Sequence, residues 1–254
     1  MELRGSEFRA VLRGVRVRAS TTKAPLPFRG SIVDVNERQP SGCSNSYRSG
    51  WRIARLVGLT VAVAWTLPSQ AQTARQILDT AVAEFAAARI ESSVARFDDL
   101  VVRYPDDMPY LWQRGIALYY AERWDDCVAQ FEAHRLVNPD DVENAAWHYL
   151  CVARRDGVAS AEAELLPVGT DFRVPMREVY ELYRGALSPE QVLAATNDSL
   201  SRFYGHLYVG LWYEAQGDED EASAHLTEAA GDEYARPGLY MHMVARVHRA
   251  LPAR

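Results

Sequence analysis

Six histidines, three cysteines and 34 carboxylates are the side chains of this chain that could do chemistry. His134, His148, His206, His225, His242 and His248 are scattered, with no interval that sets imidazoles around one metal ion. The sequence has no Gly-rich phosphate loop, no His-Glu-x-x-His, no Gly-x-Ser-x-Gly and no Cys-x-x-Cys. No metal, no cofactor, no small-molecule substrate and no catalytic residue is therefore expected, and the chain reads as a non-enzyme. His225 reads as a solvated side chain. The acidic run Asp218 to Glu221 reads as a solvated helix N-terminus matched to the helix dipole, because a calcium site needs further oxygens at set spacing. A formal net charge of −6 argues against nucleic acid as a partner. The remaining signal is aromatic. Trp112, Tyr119 and Tyr120 cluster in one short stretch, and Trp and Tyr anchor partner segments well, burying large area at low entropy cost.

Such residues act together only if an element holds them on one face, and an internal period supplies that element. Tyr104-Pro105-Asp106-Asp107 recurs as Asn138-Pro139-Asp140-Asp141, and the interval of 34 residues also pairs Phe97 with Phe131, Ala81 with Gly115 and Ser93 with Cys127. That is the length of the tetratricopeptide repeat, a pair of antiparallel helices stacked on its neighbours. Small residues belong where its two helices cross, which suits Ala81 and Gly115 on the first helix and Ser93 and Cys127 on the second. Phe97 and Phe131 would fill the gap between neighbouring helices, and Pro105 and Pro139 would end the second helix. A third unit, 142–175, keeps Ala161 and Leu165 but places Tyr149 at the small site. A fourth unit carries Gly210, Tyr213, an inter-helix turn at Gly217, and then Ala222, Leu226 and Ala229.

Residues 176–200 are out of register. Met176 to Leu187 carries a helical apolar stripe, and Ser188-Pro189-Glu190-Gln191 reads as an N-cap, a first-turn proline and a capping-box glutamine for a helix through Ala195. Leu239 to Leu251 reads as a final helix that caps an open solenoid end. The expected fold is all-α: a tetratricopeptide-repeat helical solenoid with about four helix-turn-helix units, an irregular helical insert and a C-terminal capping helix.

In this register the concave, partner-binding groove is lined by Trp112, Ile116, Tyr119 and Tyr120 from the second unit and by Tyr204, Leu207 and Leu211 from the fourth. The competing expectation is that these aromatics pack against the insert at 176–200. Cys127 and Cys151 fall on adjacent helices, either as two buried thiols or, after export, as a disulfide.

The first part of the chain differs from the rest. Residues 1–55 carry 11 basic and 4 acidic side chains, a formal +7, whereas the remaining 17 basic and 30 acidic side chains give −13. Arg52 and Arg55 precede a 12-residue apolar stretch from Leu56 to Leu67, then Pro68 and the small-residue site Ser69-Gln70-Ala71. This is the anatomy of a signal peptide at 51–71 cleaved after Ala71, and no apolar run is long enough to span a membrane. Residues 1–50 read either as a disordered basic leader or as a start codon placed too far upstream. The expected product, 72–254, is periplasmic or secreted. No cysteine stands at the cleavage site, so no lipid anchor is expected.

Gln113-Arg114-Gly115-Ile116-Ala117-Leu118-Tyr119-Tyr120 resembles the second-repeat signature of the NlpI-like family of bacterial tetratricopeptide lipoproteins. Trp147-His148-Tyr149-Leu150, Val179 to Tyr183, Leu187 to Gln191 and Phe203 to Tyr213 resemble later segments of that family in the same order. The resemblance implies an exported, non-catalytic, homodimeric adaptor that binds envelope enzymes and brings peptidoglycan hydrolases to a periplasmic protease. The missing lipobox cysteine departs from that pattern. The alternative, which follows if the leader is not cleaved, is a cytoplasmic or membrane-anchored co-chaperone or complex-assembly factor.

Overall fold

The computed structural model describes residues 72–252, which form helices and connecting turns with no strand among them. The expected leader, signal peptide and cleavage site lie outside the described residues. In chain order the helices are α1 (Ala74–Ala86), α2 (Ile90–Arg103), α3 (Trp112–Tyr120), α4 (Trp124–Arg135), α5 (Val142–Asp156), α6 (Val158–Ala163), α7 (Met176–Tyr183), α8 (Pro189–Ala194), α9 (Ser199–Gln216), α10 (Glu219–Ala229) and α11 (Tyr240–Ala250). Local chemistry sets several of their ends. Thr73 and Gln76 form a reciprocal capping box at α1, and Asp198 and Ser201 form another at α9. Ser188 and Gln191 cap α8, with Pro189 in its first turn, as the sequence predicts. No helix among the described residues is long and apolar enough to cross a membrane.

Three helix hairpins, α1/α2, α3/α4 and α9/α10, are built alike. Each turns through one residue in the left-handed region, at Ala88 (φ 56°), Glu122 (φ 58°) and Gly217 (φ 82°). Each then closes with the same long hydrogen bond, from Arg89 N to Glu84 O (3.0 Å), Arg123 N to Leu118 O (3.1 Å) and Asp218 N to Tyr213 O (3.0 Å). This is the six-to-one bond of a Schellman cap, which satisfies carbonyls left over at a helix end. The crossings also match. The Ser93 hydroxyl donates to the Ala81 carbonyl at 2.8 Å, and Cys127 Sγ lies 3.4 Å from the Gly115 carbonyl oxygen. A Cβ on Gly115 would stand 2.5 Å from the Phe131 ring, and one on Gly210 would stand 2.7 Å from Leu226 Cγ. Both glycines are there because the facing helix leaves no room for a side chain. Ala81, Phe97, Cys127, Phe131, Ala222 and Leu226 are all buried. Pro105 follows the end of α2 and opens a short 3-10 segment at 105–110, and Pro139 lies in the turn before α5; both are exposed.

The third unit departs from this plan. α5 runs on to Asp156 and turns at Gly157, one residue later than the other hairpins, and α6 ends at Ala163. Ala161 is buried on α6, but Leu165 falls beyond the end of that helix. α7 stops at Tyr183, short of the expected Leu187, and Gly185 takes φ 76° just after it. His225 is not a solvated side chain. Its ring stacks on Tyr213 at 5.7 Å, and its Nδ1 lies 2.9 Å from Nδ1 of His206. Burial pushes both imidazoles below their ordinary pKa.

α11 does more than cap an open end. It packs against α10 and also returns to α1. Met241, Val244, Ala245 and Val247 are buried, while Arg246 and Arg249 face outward. Cys127 and Cys151 are both fully buried and joined by a disulfide, with Cα atoms 6.0 Å apart, which is within the normal range for the bond.

Candidate ligand cavity

The seven residues expected to line a groove divide into two sets. Ile116, Tyr119, Tyr120, Leu207 and Leu211 are buried, whereas Trp112 and Tyr204 are partly buried. α9 and α11 reach Tyr119 and Tyr120, and the insert helices α7 and α8 pack on α9, which carries Tyr204, Leu207 and Leu211. The Tyr120 hydroxyl is 3.0 Å from His248 Nδ1 on α11, and the Tyr119 hydroxyl donates to Glu214 on α9 at 3.4 Å. Glu214 also pairs with Arg154 of α5 at 2.6 Å. Tyr240, the first residue of α11, meets Trp112 edge to face at 4.8 Å. The physical reason is area: α11 carries an apolar stripe, and the aromatic face of α3 is the large apolar surface that it covers.

What α11 leaves open is a cavity of about 290 Å3. Trp112 and Ile116 of α3 line it, with Tyr204 of α9, so three of the seven expected residues meet there. α5 adds Asn144 and Trp147, α4 adds His134, and the entry to α11 adds Leu239 and Tyr240. Asp141, Glu143 and Arg173 complete the lining with charge.

The charged side is a tight network. Asp141 caps α5 by accepting from the Glu143 amide at 3.1 Å. Arg173, from the segment between α6 and α7, donates to Asp141 at 2.6 Å, to Asp171 at 2.6 Å and to Glu143. The Tyr208 hydroxyl donates to the other Glu143 oxygen at 2.7 Å. Burial pushes the Glu143 carboxyl up to about 6; the Arg173 charge opposes this and the Asp141 charge adds to it. Burial also raises Asp171, but Arg173 outweighs it and holds that carboxyl below its ordinary value.

The neutral side is under-satisfied. His134 Nε2, Asn144 Oδ1, Trp147 Nε1 and the Tyr240 hydroxyl are buried without a hydrogen-bond partner. Each such atom forgoes a bond that water would have supplied, at a cost of about 1–3 kcal/mol. Trp147, His134 and Asn144 are themselves buried.

Sequence reasoning reached Trp112, Ile116 and Tyr204 but missed His134, Asn144, Trp147 and Tyr240 as one set. They come from three separate helices, and only the fold brings them together. The repeated Pro-Asp-Asp motif was the one usable signal for Asp141, while Arg173 has no local signature. Among the described residues no group of histidine, cysteine and carboxylate side chains could hold a metal ion. No family model matches the sequence, and no curated protein matches it.

Proposed function

We propose that this chain is an exported, non-catalytic tetratricopeptide-type adaptor that binds envelope proteins, linking peptidoglycan hydrolases to a periplasmic protease. The observation that carries the reading is the equivalence of the three hairpins. Left-handed turns at Ala88, Glu122 and Gly217, the shared closing hydrogen bond, and the Gly115–Phe131 and Gly210–Leu226 contacts sit at matching repeat positions. Repeat proteins of this kind present surfaces to other proteins. The Cys127–Cys151 disulfide supports export, because such bonds persist in oxidising compartments. The partner would meet the chain at the cavity between α3, α5, α9 and α11, where aromatic walls and carboxylates lie together. The acidic character of the chain beyond residue 55, −13, suits a basic partner.

The test has two parts. N-terminal sequencing of the native protein should read from Gln72, and peptides from residues 1–45 would count against export by this route. Affinity capture from an envelope extract should enrich a peptidoglycan hydrolase or a protease, and the purified chain alone should leave peptidoglycan intact. Capture of nothing above background would overturn the adaptor reading.

A further inference from the structure

Beside α11 lies a second hollow, an open groove of about 710 Å3. The end of α1 and the turn after it supply one wall with Ala86 and Ala88, and α11 with the segment before it supplies the other with Leu239, Met243 and Ala250. All five side chains are exposed or half-buried, so the apolar lining is in reach of a partner. Leu239, Met243 and Ala250 recur at helical spacing and give α11 an apolar stripe beside the Met241, Val244 and Ala245 side chains that it buries. The alanines on both walls let the backbone of a docked helix come close. The charged side chains of the lining are Arg236 and Arg246, both exposed, with no carboxylate among the lining residues. Asp232 and Asp198, which feel these two arginines, lie outside the lining. Arg246 meets Asp232 at 3.0 Å, but the Asp232 side chain is 90% exposed, and such a surface pair contributes little and exchanges readily. The groove is thus a local reversal in a chain whose part beyond residue 55 carries −13.

We propose that this groove docks an acidic amphipathic helix of a partner protein. Its apolar stripe would lie on Ala86, Leu239 and Met243, and its carboxylates would accept from the Arg236 and Arg246 guanidiniums. Other occupants fit worse. A basic helix would bring its charge against two guanidiniums. A second copy of this chain offers α10 as its acidic helix, but the apolar face of α10, with Ala222, Leu226 and Ala229, is already buried. The arginine-lined groove and the carboxylate-lined cavity give the chain two surfaces of opposite preference, which suits the joining of two unlike partners. The inference rests on the adaptor reading for the source of the helix.

Isothermal titration of the purified protein with two synthetic helical peptides tests it. Both carry one leucine stripe at helical spacing; one is flanked by glutamates, the other by lysines. The glutamate peptide should bind more tightly than the lysine peptide by about tenfold, a gap that narrows with salt. Arg236→Glu combined with Arg246→Glu should reverse that preference, and both positions are exposed, so the fold is kept. Residues 1–55 are the same in both proteins, so attraction by their basic side chains cannot produce the reversal. A wild-type readout places the contact: the Met243 methyl resonance should shift with the glutamate peptide. Equal binding of the two peptides, an unchanged preference in the variant, or no binding by either overturns the proposal even if envelope partners are still captured. Self-association of the wild type that the variant loses would overturn it in favour of a second copy. Glutamate-peptide binding without any captured partner would leave the groove standing and remove the adaptor reading.

Discussion

Replacing His148 by phenylalanine should make the fold resist acid better. His148 lies on α5 almost wholly buried, and neither ring nitrogen has a hydrogen-bond partner. The nearest carboxylate oxygen, on the mostly exposed Glu132, is 4.0 Å away, too far for a hydrogen bond. Burial, with a smaller push from the Arg155 charge, lowers the imidazole from 6.5 to about 4. The unfolded chain therefore takes up a proton near pH 6.5 that the folded chain refuses until about pH 4. His148 thus contributes stability that is present above its unfolded pKa and is lost as pH falls through that window. Each tenfold is about 1.4 kcal/mol, so the full loss is about 3 kcal/mol, most of it spent by pH 4.5. Glu143 works the other way. Its carboxyl is raised from 4.5 to about 6, so its contribution is full below its unfolded pKa and is lost as pH rises through about 6. The two offset each other in the native protein, and the His148→Phe comparison removes one of them. At pH 7.5 the variant gains from deleting two unsatisfied atoms and loses from overpacking, which are of similar size. Urea unfolding at pH 7.5 and 4.5 should show the variant's advantage growing by about 2–3 kcal/mol on acidification, or about 1 M in midpoint. An advantage that stays constant across the two pH values would refute a neutral, unpartnered His148.

The hairpin geometry yields opposite signs at one crossing and one turn. Gly210→Leu should cost about 1–3 kcal/mol in thermal melts, because its first side-chain atom would already sit 2.7 Å from Leu226 Cγ. Glu122→Gly should raise the melting temperature, relieving about 1 kcal/mol of left-handed strain at φ 58°; a lower melting temperature would contradict that turn. Cys151→Ala should cost about 3 kcal/mol under oxidising conditions, since the bridge closes a loop with a sequence separation of 24, and wild type in strong reductant should fall to the same level.

Local patterns carried far in this chain. The 34-residue interval placed Ala81, Gly115 and Cys127 at helix crossings and Phe97 and Phe131 between neighbouring helices, all of them buried, and Ser188-Pro189 marked the start of α8. Gly217 was legible as a turn because glycine accepts positive φ freely. Ala88 and Glu122 adopt the same backbone with no residue type to announce it, and only their spacing from Gly217's equivalent position does so. The groove was legible as a face but not as a surface. Helical position put Tyr119 and Tyr120 together, yet whether water, a partner or the chain's own α11 covers them depends on contacts across more than 100 residues, such as Tyr120 with His248. The cavity was harder still. His134, Asn144 and Trp147 look like ordinary helix residues until α11 closes over them and leaves their polar atoms unpaired.

Trp112, like Tyr204, is a partly buried aromatic that belongs both to the expected groove and to the observed cavity. Capture by wild type and by Trp112→Ala from one envelope extract, at low and high salt, with melting curves as the control for folding, tests the adaptor reading most directly. Partners should be held about 1–4 kcal/mol less tightly by the variant, and wild-type capture should weaken with salt as the acidic surface is screened. Equal retention of every partner by both proteins at both salt concentrations would contradict binding at this cavity.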